Sequence, residues 1–322
     1  MGRPRILKKL DKELAEINRA LAANLHTHVP FISQVGQHIL LSGGKRIRPL
    51  LFVLAARMSG CRGNHLADFS TIFEYLHAAT LLHDDVVDAA SVRRGITTAN
   101  TIWGNQAVIL VGDFLLAKAL SLAVTTDQLK VLQVLAQTTT LMAEGEILQL
   151  LHARNLSLSE PEYFDVIIRK TAVLMAAACQ VGAILGGLPA EEEEALRQFG
   201  LNLGITYQLV DDILDFVGDE RKLGKPVIND LKEGRITLPV IHALAHADSS
   251  DRERLTALAR DATPDKAPEI LAILHTYGSL DYARERARHY SSEAQANLDC
   301  FPDSPEKTYF RAITEELLKR SY

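Results

Sequence analysis

Cysteine is scarce and scattered: Cys61, Cys179 and Cys300 are the only three in 322 residues, with no CxxC pair among them. Such spacing offers neither a disulfide framework nor a zinc site and fits reduced cytosolic thiols. Positive charge is also in short supply. The 35 Lys and Arg stand against 40 Asp and Glu, a formal net charge of −5, so the clustered basic surface on which nucleic-acid binding rests is lacking. No apolar signal-like stretch opens the chain, and Ile6 breaks the myristoylation pattern begun by Met1-Gly2. The most apolar stretch, Ala172 to Leu188, contains Gln180 and is rich in Ala and Gly, which favours a buried core helix over a membrane span. No low-complexity linker or charge block marks a boundary. The expectation is one cytoplasmic domain, residues 1–322, without a transmembrane segment.

What remains is ordinary globular usage, 47% hydrophobic and 23% charged, enough for a large core. Ile6, Leu7, Leu10, Leu14, Ile17 and Leu21 recur at steps of three and four, the period of an apolar helix stripe. The same pattern predicts helices over about 29–41, 49–59, 66–89, 104–124, 127–152, 160–186 and 191–217, with shorter ones after Ile236. Gly43-Gly44 can stop one helix and Pro49 can open the next as its first residue. Glu191 to Glu194 reads as the solvated first turn of another. No Val/Ile-rich segments alternate with helices, so an all-α fold is expected and a parallel α/β fold is not.

Two segments carry chemistry: DDVVD at 84–88 and DDILD at 211–215. Residues four apart share a helix face, so Asp84 points with Asp88 and Asp211 with Asp215. Three like charges within about one turn repel one another, and apolar flanks such as Leu81-Leu82 and Leu209-Val210 make a fully solvated face the weaker reading. A cation resolves the repulsion. Oxygen-only ligands that leave room for water and substrate phosphates suit Mg²⁺ better than zinc or a dedicated calcium cage.

Basic residues stand nearby in sequence. GGKRIRP at 43–49 puts Lys45, Arg46 and Arg48 at the mouth of a helix, where backbone N–H groups also favour anions. It is not a P-loop, because Ile39 occupies the place of the first glycine. Arg93 and Arg94 follow the first acidic motif and could clamp phosphate oxygens, and Lys170-Thr171 and Gly224-Lys225-Pro226 are weaker signals of the same kind. Acidic clusters for metal with basic residues close after them make sense together for a metal-bound polyphosphate.

In order along almost the full chain come GGKRIRP, LLHDDVVD with RRG at 93–95, GD at 112–113, EGEILQL at 144–150, KTA at 170–172, YQLVDDILD at 207–215 and LGKPVINDLKEGRITLP at 223–239. The sequence thereby resembles the trans-polyprenyl diphosphate synthases. The resemblance implies that Asp84, Asp85 and Asp88, with Asp211, Asp212 and Asp215, are catalytic and hold Mg²⁺ on an allylic diphosphate. The direct metal ligands would be Asp84, Asp88, Asp211 and Asp215. Arg93, Lys170, Thr171, Gln208 and Lys225 would contact that diphosphate, with Lys170 and Lys225 also counted as catalytic. Lys45, Arg48, His77 and Arg94 would hold isopentenyl diphosphate. The implied fold is a helical bundle around a deep cavity, usually a homodimer. Two positions depart from the family pattern: Ile228 stands where glycine is general, which allows a local loop shift, and Arg235 replaces a frequent substrate-binding Lys with its charge kept.

The implied reaction ionises the allylic diphosphate and lets isopentenyl diphosphate attack the cation, with the departing diphosphate taking the proton. Thr80 lies one turn before Asp84 with Ala79 beside it, at positions where short-chain members carry bulky aromatics. Both are small here, so the expectation is a long product of octaprenyl-like length, with geranylgeranyl and farnesylgeranyl diphosphates as the shorter alternatives. A terpene cyclase is opposed by the second DDILD and by GGKRIRP. A di-iron bundle is opposed because Glu74-x-x-His77 has no second copy. A non-catalytic subunit is opposed by the presence of both motifs.

Overall fold

The three-to-four spacing of apolar residues is realised as helix after helix. The computed structural model describes residues 10–41, 43–63, 65–93, 95–217 and 228–319. Arg94 and Lys225 lie outside the described residues. The order is α1 (Asp11–Asn24), α2 (Pro30–Leu41), α3 (Ile47–Met58), α4 (Leu66–Val87), a hairpin of β1 (Val92–Arg93) and β2 (Ile96–Thr97), α5 (Ala99–Trp103), α6 (Asn105–Val124) and α7 (Leu129–Leu151). Then follow α8 (Glu160–Ile167), a π turn (Ile168–Ala172), α9 (Val173–Gly186), α10 (Ala190–Val217), α11 (Asn229–Lys232), α12 (Leu238–His246), α13 (Ser249–Arg260), α14 (Ala267–Thr276), α15 (Ser279–Ala296) and α16 (Pro305–Leu318). The fold is all-α, as the sequence predicts.

Local chemistry sets the ends. α3 closes in a Schellman turn, with Cys61 N–H on the carbonyl of Ala56, Gly60 N–H on that of Arg57, and Gly60 at φ 85°. α8 opens on a capping box in which Ser159 and Glu162 exchange hydrogen bonds. Three readings are corrected. α3 begins at Ile47, so Pro49 is its third residue; the first-turn N–H groups have no helical partner, and proline fits there equally well. The stretch 160–186 is not a uniform helix but is widened by the π turn. Glu193 is buried rather than solvated, bonded to Lys130 and, at 2.9 Å, to Gln180.

The chain forms two compact units: Met1–Thr139 with Leu174–Gly200 and Leu298–Ala312, and Thr140–Val173 with Leu201–Asn297 and Ile313–Tyr322. In the first, α4 packs against α1, α3 and α6. Leu50 to Ala56 of α3 are all buried, a helix apolar on every side and therefore central. α9 closes on α3 where Gly182 meets Ala55; a Cβ there would stand 2.7 Å from the Ala55 methyl. In the second, α12 packs against α8 and α15. Glu160–Gly186 and Asn105–Val124 are long and apolar enough to cross a membrane, but two thirds of the former's most apolar window (67%) is buried within the protein, as in a core helix.

Candidate active site

In the first unit DDVVD forms the last turn of α4 and splits by burial. Asp85 is buried, Asp84 half-buried and Asp88 exposed. The helix period sets this division, since Asp84 and Asp88 share a face and Asp85 stands about 100° round from Asp84. Asp85 Oδ1 accepts from Arg93 Nε at 2.7 Å. Burial raises the Asp85 pKa, Arg93 opposes the rise, and the neighbouring Asp84 and Asp88 reinforce it. The Asp85 carbonyl also accepts from Asn100 Nδ2 at 3.0 Å, so α5 caps the end of α4. Arg93, assigned by the sequence to the diphosphate, thus rests on the first motif. Its hairpin is held by His38, whose Nε2–H donates to the Thr97 carbonyl at 2.9 Å and whose ring meets Trp103 edge-on.

The Gly112-Asp113 pair serves His83, the residue before Asp84. A Cβ on Gly112 would lie 2.3 Å from His83 Nε2, so glycine makes room for the ring. That nitrogen lies 3.1 Å from the Ile109 carbonyl and 3.5 Å from Asp113 Oδ1. Lys45 and Arg48 are half-buried around the start of α3, and His77 and Thr80 are half-buried on α4, with Ala79 buried beside them. The Thr80 hydroxyl donates to the His77 carbonyl of its own helix at 2.9 Å.

In the second unit DDILD lies near the end of α10, with Asp211 half-buried and Asp212 and Asp215 buried. Thr171 Oγ1 donates to Gln208 Oε1 at 2.9 Å, Gln208 Nε2 to Asp212 Oδ1 at 2.8 Å, and the Tyr163 hydroxyl to Asp212 Oδ2 at 2.6 Å. Burial and the nearby Asp230 raise the Asp212 pKa well above the usual carboxylate range; the bonds from Tyr163 and Gln208 oppose that. Burial and Asp212 likewise drive the Tyr163 pKa up, so the phenol stays protonated and donates. Asp215 Oδ2 accepts from the Asp230 N–H at 3.0 Å, and its carbonyl accepts from the Ile228 N–H at 2.8 Å, which anchors α11 beneath the motif. Arg235 bonds Asp230 at 2.9 Å and also pairs with Glu233.

Lys170 and Thr171 sit in the π turn, and Lys170 Nζ donates to Glu146 Oε2 at 2.6 Å. Two glycines pin this turn. A Cβ on Gly145 would lie 2.7 Å from the Lys170 nitrogen, and one on Gly204 2.5 Å from the Ala172 Cα. Ile228, at the family's glycine position, keeps a left-handed backbone, φ 55° and ψ 27°, with its side chain buried. Sequence reasoning singled out neither Tyr163, Glu146 and Asn100 nor the inward role of Arg46. Of these, Glu146 lay inside EGEILQL and Arg46 inside GGKRIRP, while Tyr163 and Asn100 lay outside every quoted motif.

Among the described residues no three His, Cys, Asp or Glu side chains converge closely enough to cage a metal by themselves. The accessible donors, Asp84, Asp88 and Asp211, are carboxylates. Taken unit by unit, the pair on the first motif and the carboxylate on the second each suit Mg²⁺, which binds through one or two carboxylates and completes its shell with water and phosphate oxygens.

The Polyprenyl synthetase family model matches residues 29–275, which contain both acidic motifs. The chain is 41% identical over 309 residues to the octaprenyl diphosphate synthase of Haemophilus influenzae, covering 96% of this chain and 93% of that one. Two crystal structures superpose with a TM-score of 0.92 at 36% identity over 99% of this chain. One is a decaprenyl diphosphate synthase from Rhodobacter capsulatus, covered to 99%. The other is a polyprenyl synthase from Caulobacter crescentus complexed with calcium and isoprenyl diphosphate, covered to 98%. With that agreement in sequence and fold, the chain belongs to the polyprenyl synthetase family.

Proposed function

We propose that this chain joins isopentenyl diphosphate head-to-tail to an allylic diphosphate, repeatedly, to make a long all-trans polyprenyl diphosphate of octaprenyl-like length. The observation that carries this is 41% identity to an octaprenyl diphosphate synthase over 96% of the chain. In each cycle the allylic C–O bond breaks, the isopentenyl double bond forms the new C–C bond, and a proton leaves with diphosphate. The metal ligands would be Asp84, Asp88 and Asp211, the accessible carboxylates, joined by Asp215, which is buried and would open from the Asp230 N–H to reach the ion. Mg²⁺, when bound, neutralises charge on the leaving diphosphate. Arg93, Lys170, Thr171, Gln208, Lys225 and Arg235 position the allylic diphosphate and its loop, and Lys45, Arg48, His77 and Arg94 hold isopentenyl diphosphate.

Ion pairs such as Arg93 with Asp85 and Lys170 with Glu146 hold these cations extended, ready to exchange a carboxylate for phosphate oxygens. The growing tail would run past Ala79 and Thr80, between apolar helix faces that keep water from the cation. The whole chain, 1–322, works as one cytoplasmic synthase domain and pairs with a second copy. On α6, Leu110 is 67% and Val124 61% exposed, with Ile109 and Leu120 also open, an apolar face that a partner would cover. Sedimentation of wild type and Leu110→Glu tests the pairing.

The test of function is incubation with labelled isopentenyl diphosphate, several allylic primers and Mg²⁺, followed by product sizing. Products of about eight isoprene units that vanish with chelator and return with Mg²⁺ are expected, and no elongation from any primer refutes the reading.

A further inference from the structure

Glu74, three residues before His77, already has a partner. Its Oε1 accepts from the Arg46 guanidinium at 2.5 Å, with both residues buried. Arg46 Nε donates to Asn18 Oδ1 at 3.1 Å, and its remaining terminal nitrogen donates to the Leu40 carbonyl. One side chain therefore ties together α1, the last turn of α2 and the middle of α4. The Arg46 backbone lies in the left-handed region, φ 52° and ψ 36°, which a residue with a Cβ occupies only when its surroundings hold it there. Turned inward, Arg46 leaves its neighbours Lys45 and Arg48 half-exposed, and its own carbonyl accepts the first helical bond of α3, from Leu50 N–H.

A basic turn that merely met solvent would need no buried carboxylate. A guanidinium with three oxygen partners fixes the segment's position along α4, because its planar fork tolerates little displacement. We infer that the Arg46–Glu74 pair is a positioning device for isopentenyl diphosphate: it registers the segment bearing Lys45 and Arg48 against the helix that carries His77. This rests on the proposed function, since those three residues are the ones assigned to that substrate. It also gives Glu74 a structural partner in place of a metal.

The test is steady-state kinetics of the full-length enzyme with Mg²⁺, each substrate varied at saturation of the other, for Glu74→Gln, Arg46→Lys and Asn18→Ala. Loss of one charge-assisted bond corresponds to roughly a tenfold change, so the KM for isopentenyl diphosphate is expected to rise about tenfold in Glu74→Gln and Arg46→Lys. A rise of about twofold to threefold is expected in Asn18→Ala, where the partner is neutral. The KM for the allylic diphosphate should change by less than about twofold in all three, a split that a general loss of stability would not produce. If Glu74→Gln fails to fold, Arg46→Lys and Asn18→Ala decide by the same split. Equal rises in both KM values, or a fall in kcat with both unchanged, overturns the positioning role. A wild-type enzyme that elongates no primer refutes the proposed function instead.

Discussion

The hydroxyl of Tyr163 and Oδ2 of Asp212 lie 2.6 Å apart, both residues buried in the second unit and 49 apart in sequence. Nothing in a helical period announces this bond, yet it holds one carboxylate of the second motif. Tyr163→Phe removes the donor and leaves Asp212 with Gln208. Stability is expected to fall by about 1–3 kcal/mol, the cost of leaving a buried acceptor short of a partner. Elongation should fall with it as the Asp212 carboxyl loses its orientation. An unchanged melting midpoint would show that the bond contributes nothing.

The glycines that pin the π turn differ in kind from the glycine beside His83. A methyl group on Gly145 or Gly204 would press on backbone atoms of Arg169, Lys170 and Ala172, at 2.5–3.2 Å. Overpacking of this sort costs about 1–3 kcal/mol and displaces Lys170 and Thr171. A methyl group on Gly112 meets only the tip of the half-exposed His83 ring, which can rotate away, and the helix gains up to about 1 kcal/mol from alanine. Thermal melting is expected to rank Gly112→Ala near wild type and the other two well below. Gly112→Ala as the least stable of the three would contradict this.

Helix spacing and Gly/Pro punctuation made most helices legible in the sequence, and the i,i+4 rule placed Asp84 with Asp88 and Asp211 with Asp215. That rule gives relative faces, not what covers them, so the burial of Asp85, Asp212 and Asp215 emerged only from packing. Arg46 looked like one more basic residue of GGKRIRP until the structure turned it inward onto Glu74. The π turn was hidden because the residues that crowd it, Gly145 and Gly204, stand far away in sequence.

Ile228 gives a reversed substitution order. Burial of an isoleucine contributes about 1.5–3 kcal/mol, while a β-branched residue at φ 55° costs about 1–3 kcal/mol. Alanine loses the burial and keeps most of the strain; glycine loses the burial and relieves it. Ile228→Gly is therefore expected to be more stable than Ile228→Ala by about 1 kcal/mol, the opposite of the usual order in a helix or strand. Paired melting curves of the two variants check the sign.

His242 stacks between His246 and Tyr282, with ring centroids 4.2 Å from each, and its Nδ1 lies 3.0 Å from Ser279 Oγ. Burial lowers its pKa, and repulsion from His246 adds to this; the Glu160 carboxylate, bonded to Tyr282, pulls the other way. A histidine depressed in the fold takes up its proton more readily when unfolded. Its cost is absent above the unfolded value of about 6.5, grows as pH falls toward the lower folded value and levels off below it. The melting midpoint of wild type is expected to drop more between pH 7.5 and 5.5 than that of His242→Gln. Equal drops would remove His242 from the acid sensitivity.

The proposed path of the growing product runs along α4. Thr80 shares the face of Asp84 one turn toward the N-terminus and its hydroxyl bonds the His77 carbonyl of its own helix, whereas Ala79 beside it is buried. An aromatic ring at either place would enter the path proposed for the growing tail. Ala79→Tyr and Thr80→Phe are expected to shift the main product to fewer isoprene units by mass spectrometry. Overpacking should cost Ala79→Tyr about 1–3 kcal/mol of stability, and Thr80→Phe less, because Thr80 is half-open. Folded variants that still release the wild-type product would show that the tail does not pass this face, and the limit to chain growth would have to be sought on another helix.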